Sequence, residues 1–377
     1  MSKVRLGLVG AGRRSRFFCQ LARKLPELFE VVSVLVRDPE KRERFAQEWK
    51  VATPDSMEQL VATKPEFVIV SVPRAVAPTI IKGLFDLHMP VLSETPPAAD
   101  LQGLTWLYQQ TEGGRHVQVS EQFYRFPMHA ARISVVESGV LGRITEAQVS
   151  AAHNYHGISP MRKLLGVYFE PAIITTRFFN GIMAVREEGG AETVEEKQTL
   201  AHFDFGDKLG IYDFCFSQYD TRIRASRVLV RGERGEICGT TVRYLDQDFK
   251  PVIVELVRHD TGNDAHLRDI YNNRICSETT NSAWSCPKDC HHEGITLGKK
   301  WVYRNPFVST CLSDDEIAAA HGLQKMAEHV QGGPSFYSLA EASQDHYLHL
   351  MMVQAVATGK PVATEPQVWS SWLPTKE

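Results

Sequence analysis

Val4-Arg5-Leu6-Gly7-Leu8-Val9-Gly10-Ala11-Gly12-Arg13-Arg14-Ser15 joins a short apolar run to a glycine turn. A segment of helical period follows, Arg16 to Lys24, with Phe17, Phe18, Leu21 and Ala22 on one face. Strand, glycine turn and helix in this order form a cradle for an anion. The first glycine permits the tight turn, the second lets backbone amides approach a diphosphate, and the helix N-terminus adds N–H donors and a favourable dipole. Ser15 stands where a third glycine is usual, a small residue for a small one. The stretch predicts a Rossmann-type doubly wound parallel sheet binding a dinucleotide through Gly10, Ala11, Gly12, Arg13, Arg14 and Ser15.

Val31 to Val36 reads as a second strand and is followed by Arg37-Asp38-Pro39-Glu40. Asp38 is placed to cap a helix that begins at Pro39. The strand end, where an acidic residue usually takes the adenosine 2′-hydroxyl, is Val36 followed by Arg37. A guanidinium there without a carboxylate tips the expectation from NAD towards NADP. Phe67 to Val72 is apolar apart from Ser71, as a strand buried on both faces should be. A helix from about Pro78 to Leu87 and a strand at Pro90 to Ser93 continue the alternation to roughly Gln118.

After Tyr124 the texture changes. Thr145 to Ala152, Gln198 to Phe205, Lys208 to Ser217, Ser226 to Arg231, Ile237 to Tyr244 and Val252 to Val257 read as strands, with few helices between them. Asp314 to Val330 and Ser338 to Thr358 are helical by period, with Asp314 and Ser338 as caps and Gly359 as a stop. Asp260 to Lys300 has little periodicity and is not assigned. The expected fold is α/β: a dinucleotide-binding domain over residues 1–122, then a C-terminal α+β domain over 123–377 built on a large, open-faced, mainly antiparallel sheet.

At 377 residues, with 43% hydrophobic and 23% charged residues, the chain can bury a sizeable core. A net charge of −3 gives no electrostatic reason to expect nucleic acid or a membrane surface as partner. The N-terminal residues contain no apolar run of signal-peptide type, so the expected location is the cytoplasm. Seven cysteines, an odd number, suggest reduced thiols rather than a disulfide framework. Cys286-Pro287-Lys288-Asp289-Cys290-His291-His292 crowds four soft ligands together without a second spaced pair, and no metal is expected there.

The chain resembles the Gfo/Idh/MocA family of sugar and polyol oxidoreductases. The resemblance rests on Gly10 to Ser15, Val68-Ile69-Val70-Ser71-Val72-Pro73, Val91 to Ala98 (VLSETPPA), Arg125-Phe126-Pro127, Gly139 to Ile144 and Tyr337 to Ala342. It implies substrate held between the two domains and a nicotinamide cofactor, NADP or NAD. It implies contacts to that cofactor from Arg37, Ser71, Val72, Pro73, Arg74 and Glu94. It also implies a homodimer or homotetramer pairing through the second domain's sheet. Two departures stand out. The family's Glu-Lys-Pro reads Glu94-Thr95-Pro96, and its later catalytic histidine and aspartate fall on Pro171 and Ile174. Thr95 can hydrogen-bond a sugar hydroxyl but cannot relay a proton as a cation.

His153-Asn154-Tyr155-His156, with Arg162 and Lys163 beyond, offers replacements. Histidine titrates near neutrality and can take a hydroxyl proton. His156, His153, Lys163 and Tyr155 are therefore the catalytic candidates, and Arg162, Glu94, Thr95, Glu170 and Tyr168 the substrate-binding ones. The same residues also suit a solvated loop with satisfied histidines. Tyr124 and Arg125 fit a domain junction or simple packing equally well. The expected activity is NAD(P)-dependent oxidation or reduction of a sugar, glycoside or cyclitol. Redox-neutral glycoside cleavage or elimination, and non-catalytic sugar or dinucleotide binding, stay open beside it.

Overall fold

A computed structural model describes residues 3–187, 190–221, 223–261 and 291–371. The chain forms two compact units. The first takes Met1–Gln122, Ala318–Gln344 and Gln367–Glu377; the second takes Phe123–Ile317 and Asp345–Pro366.

In the first unit the elements alternate: β1 (Val4–Val9), α1 (Arg13–Lys24), β2 (Phe29–Leu35), α2 (Pro39–Trp49), α3 (Met57–Ala62), β3 (Phe67–Val70), α4 (Ala77–Asp86), β4 (Val91–Ser93), α5 (Leu101–Gln110) and β5 (Val117–Val119). The strands pair in the order β2-β1-β3-β4-β5, every neighbour parallel. β3 is buried along its whole length, which explains its unbroken Phe67-Val68-Ile69-Val70 run. Asp38 caps α2 as expected, accepting a hydrogen bond from the Lys41 N–H at 3.0 Å. That bond stabilises the anion and lowers the Asp38 pKa. Within β5, the Gln118 side-chain oxygen accepts from the N–H groups of Phe336 and Tyr337, at 3.1 Å each.

The second unit opens with α6 (Pro127–Glu137), β6 (Ile144–Ser150), α7 (Tyr155–Leu165), β7 (Ile173–Glu187), β8 (Gly190–Asp204), β9 (Leu209–Cys215) and α8 (Ser217–Asp220). It continues through β10 (Arg227–Gly232), β11 (Gly235–Cys238), β12 (Thr241–Leu245), β13 (Pro251–Thr261), β14 (His291–Leu297) and β15 (Lys300–Arg304). Then come α9 (Asp314–Val330), α10 (Leu339–Thr358) and β16 (Val362–Ala363), with the first unit taking its share of both helices. Eleven strands pair in the order β15-β14-β13-β12-β11-β10-β6-β9-β8-β7-β16. Each pairing is antiparallel except β6 with β9. Met128 and Val135 of α6, with Ile158, Met161 and Leu164 of α7, pack against Val149, Phe203, Tyr212 and Phe214 to form the core.

Several elements differ from the sequence reading. Ile237 to Tyr244 is not one strand but the hairpin β11–β12, turning at Gly239, whose φ of +65° suits glycine. α9 is capped by Ser313 rather than Asp314: the Glu316 N–H donates to Ser313 Oγ, and the Ser313 N–H to Glu316 Oε2, a reciprocal box. Asp314 is instead paired with Arg258. Ser338 and Glu341 form a similar box before α10. Of the long β7–β8 hairpin, only the end of β8 matches an expected strand, Gln198 to Phe205. Burial alternates only at its base, as at Ala201 to Asp204; farther out Phe178, Phe179 and Ile182 are 44%, 52% and 72% exposed. In the unassigned stretch, β13 runs to Thr261, and β14 and β15 follow; Cys286 to Cys290 lie outside the described residues. Of the crowded Cys/His segment, His291 and His292 are described: Nδ1 of His292 lies 2.7 Å from Asp260 in a buried cluster with Arg258 and Asp314.

Candidate active site

Because β1 to β4 run parallel, their carboxyl ends open on one edge of the sheet, where this topology places ligands. Gly10 follows β1 with φ +110°, and a Cβ there would lie 2.1 Å from the Ser71 carbonyl oxygen at the end of β3. Only glycine fits that contact. Gly12 differs: a Cβ on it would meet nothing within 4 Å, so its backbone faces open space. Gly12 is also the N-cap of α1 and offers no side chain to the first-turn N–H groups. An open glycine at a helix N-terminus, with no side-chain cap, is the arrangement that admits a diphosphate. Ala11 is half-buried beside them, and Arg13 is exposed on the first turn.

Ser15 is fully buried, its hydroxyl without a hydrogen-bond partner, and fills the place of the third glycine. Ser71 and Val72 are half-buried, while Pro73 and Arg74 are exposed at the same sheet edge. Glu94 follows β4, and its Oε1 accepts from Arg14 Nε at 3.0 Å, both side chains being largely buried. The Arg14 guanidinium also lies 4.2 Å from the Phe17 ring centroid. Arg14 thus brings a fixed positive charge to Glu94, beside the half-buried Thr95 that replaces the family's lysine. Arg37 is exposed beyond β2, and Asp38 next to it is spent on the helix cap.

In the second unit β6 and β9 are parallel neighbours, so their carboxyl ends also lie together. The turn after β6 carries His153 and the residue before α7, Asn154, which has φ +53°. A non-glycine residue in that region costs on the order of 1–3 kcal/mol and persists only where surrounding contacts fix it. Two tyrosines supply those contacts. Tyr212 Oη accepts from the Asn154 N–H at 2.8 Å, and Tyr219 Oη accepts from the His153 N–H at 3.1 Å. Tyr219 Oη also lies 2.9 Å from His153 Nδ1. Burial, with a smaller contribution from neighbouring His156, pushes His153 down to about 4, so the imidazole is neutral at pH 7.

The rings of Phe123, Phe216 and Tyr219 surround His153, with centroids 6.4, 5.5 and 5.7 Å away. His156 is buried, 4.9 Å from His153 and 4.4 Å from Tyr155. Tyr155 in turn packs edge-on against His346 and His349 of α10. The Lys163 ammonium sits 5.4 Å from the Tyr124 ring centroid. What reads as a possible solvated loop is therefore mostly the buried helix α7.

Arg162 departs from its expected role. Its guanidinium is buried, donating to Asp345 Oδ1 at 2.6 Å and to the Tyr168 carbonyl, so it ties α7 to α10 rather than facing solvent. Tyr168 and Glu170 are exposed and satisfy one another through the Tyr168 N–H. Sequence reasoning missed Tyr219, Tyr212, Asp345, His346 and His349. Tyr219 stands 66 positions from His153, and only the parallel β6–β9 pairing brings it close. Among the described residues, no group of three His, Cys, Asp or Glu side chains is placed to hold a metal ion.

Residues 4–123 match the model of the Gfo/Idh/MocA oxidoreductase family, described as having an NAD-binding Rossmann fold. That match is confined to the N-terminal segment, which carries the five-stranded parallel sheet. The whole chain is similar in fold to solved members of that architecture. Levoglucosan dehydrogenase in complex with NADH and L-sorbose is 14% identical, with a TM-score of 0.65 over 98% of this chain and 100% of the other. An oxidoreductase from Agrobacterium radiobacter with NAD⁺, L-tartaric acid and magnesium is 14% identical, with a TM-score of 0.61 over 96% and 98%. The WlbA dehydrogenase from Chromobactrium violaceum, with NADH and UDP-GlcNAcA, is 15% identical, with a TM-score of 0.59 over 97% of each chain. No curated protein matches in sequence. At these identities the structural likenesses establish the fold, and residues 4–123 are similar in sequence to a family model described as an NAD-binding Rossmann fold. No described helix is long and apolar enough to cross a membrane.

Proposed function

We propose that the protein is an NAD(P)-dependent oxidoreductase that acts on a hydroxyl or ketone of a sugar, glycoside or cyclitol. The observation that carries this reading is the pair of glycines after β1: Gly10 pressed on Ser71, and Gly12 open beside the N-terminus of α1. Oxidation of a hydroxyl removes a hydride from carbon and a proton from oxygen, and the bound nicotinamide is the hydride acceptor. Gly10 to Ser15 hold the diphosphate by backbone amides, with Ser71, Val72, Pro73 and Arg74 along the same strand ends. Arg37, with no competing carboxylate, favours the 2′-phosphate of NADP. Glu94 and Thr95 offer hydrogen bonds to substrate hydroxyls.

His153 takes the proton. It is neutral, less buried than His156, and already held at one ring nitrogen, which leaves Nε2 for the substrate. Lys163 supplies positive charge and Tyr155 packs the helix behind the histidines. The test is a panel of sugars, glycosides and cyclitols assayed for reduced nicotinamide by its near-ultraviolet absorbance. Accumulation that His153→Gln abolishes is the expected result. Product formation without accumulation would mean redox-neutral chemistry, and no product from any class would overturn the reading.

A further inference from the structure

Tyr219 belongs to none of the motifs that identify the domain, yet it makes two separate hydrogen bonds to one residue. Its Oη accepts the backbone N–H of His153 at 3.1 Å and lies 2.9 Å from Nδ1 of the same side chain. A phenolic oxygen has two acceptor lone pairs and one donor hydrogen. Two N–H groups converging on it therefore use both lone pairs, provided the imidazole carries its proton on Nδ1. The adjacent amide is fixed in a matching way, Asn154 N–H to Tyr212 Oη at 2.8 Å, so both tyrosines pin a turn whose Asn154 has a positive φ. Tyr212 ends its hydroxyl on the backbone alone, whereas Tyr219 reaches the side chain as well.

We propose that Tyr219 is the positioning residue for His153: as a double acceptor it selects the Nδ1–H tautomer and presents the Nε2 lone pair to the substrate hydroxyl. This rests on the reading of His153 as the proton acceptor. The rings packed on His153 are those of Phe123, Phe214, Phe216, His156 and Tyr219. His156 and Tyr219 are the titratable groups among them, and Tyr155 stands behind His156. In an imidazole held this way, Nε2 accepts a proton without ring rotation, and the imidazolium that forms keeps its Nδ1–H bond to Tyr219. The reverse reaction returns that proton to a ketone oxygen.

The test uses the full chain labelled with ¹⁵N-histidine, with the His153 signal assigned by its loss in His153→Gln. Long-range ¹H–¹⁵N spectra report which ring nitrogen is protonated. The wild-type signal should show a bare Nε2, and Tyr219→Phe, which keeps the ring but deletes the oxygen, should show mixed tautomers. With an active substrate, Tyr219→Phe should lower kcat by about tenfold or more with little change in KM. Its pH–rate profile should shift, which a purely structural loss would not produce. A wild-type Nε2–H tautomer overturns the proposal, as does a tautomer unchanged in Tyr219→Phe. Should that variant fail to fold, the wild-type spectrum decides alone. If no substrate is turned over, the spectra still judge Tyr219, while failure of NAD⁺ and NADP⁺ to bind would instead strike the underlying oxidoreductase reading.

Discussion

Gly10 and Gly12 flank one alanine and answer to different demands. Alanine at position 10 must adopt φ +110° and drive its methyl group into the Ser71 carbonyl, and backbone cannot yield as a side chain can. Gly10→Ala should therefore lose on the order of 1–3 kcal/mol of stability and its dinucleotide binding together. Gly12 has φ −77° and open space around its Cβ position. Gly12→Ala should melt within a degree or two of wild type, in line with about ±0.5 kcal/mol for a surface substitution, but bind NAD⁺ and NADP⁺ at least tenfold more weakly. Differential scanning fluorimetry with and without dinucleotide separates the two. Equal effects of the two substitutions on stability would contradict this division. The glycine pattern is visible in the sequence; the contact with Ser71 is not, because it joins the ends of two strands far apart along the chain.

Among the elements, α7 shows how composition can mislead. Arg162 and Lys163 are adjacent, so on a helix they point in different directions, and the sequence alone cannot say which one faces the core. The structure buries Arg162 on Asp345 and leaves Lys163 half-buried near Tyr124. Removing one partner of a buried ion pair strands the other's charge, whereas removing both for apolar residues of similar volume can be nearly neutral. Arg162→Met alone should cost about 3–5 kcal/mol, and Arg162→Met with Asp345→Leu should recover most of it. Urea unfolding of the wild type, Arg162→Met, Asp345→Leu and the double variant checks this. Full stability in Arg162→Met would mean that the pair holds nothing. The capped helices and the parallel strands were legible because caps and buried strands write local signals. Most of the β7–β8 hairpin was not, since beyond its base both faces are partly open and the in–out alternation is lost.

At the scale of the whole molecule, buried neutral histidines set the acid limit of the second unit. His129 is pushed down to about 3 by burial, with Arg132 beside it adding repulsion, and His153 to about 4. In the unfolded chain both titrate near 6.5. Between those values the unfolded state binds protons that the folded state refuses, so stability falls as pH drops from about 6.5 towards 3. His129→Gln should flatten this dependence, read as the change in urea midpoint between neutral and mildly acidic buffer. An unchanged slope would mean that His129 is protonated in the folded protein.

Fold class, the glycine cradle and the missing lysine could all be read before any coordinates. The partners of His153 could not, because parallel pairing of β6 with β9 is a property of topology. Any redox role of this chain depends on the cradle between β1 and α1. Calorimetric titration of the wild type and of Gly12→Ala with NAD⁺ and NADP⁺ tests it most directly. The expected result is saturable binding of one dinucleotide per wild-type chain, NADP⁺ the tighter, and weakened binding in a variant that melts normally. Absence of binding by the wild type, or equal affinity in Gly12→Ala, would contradict it.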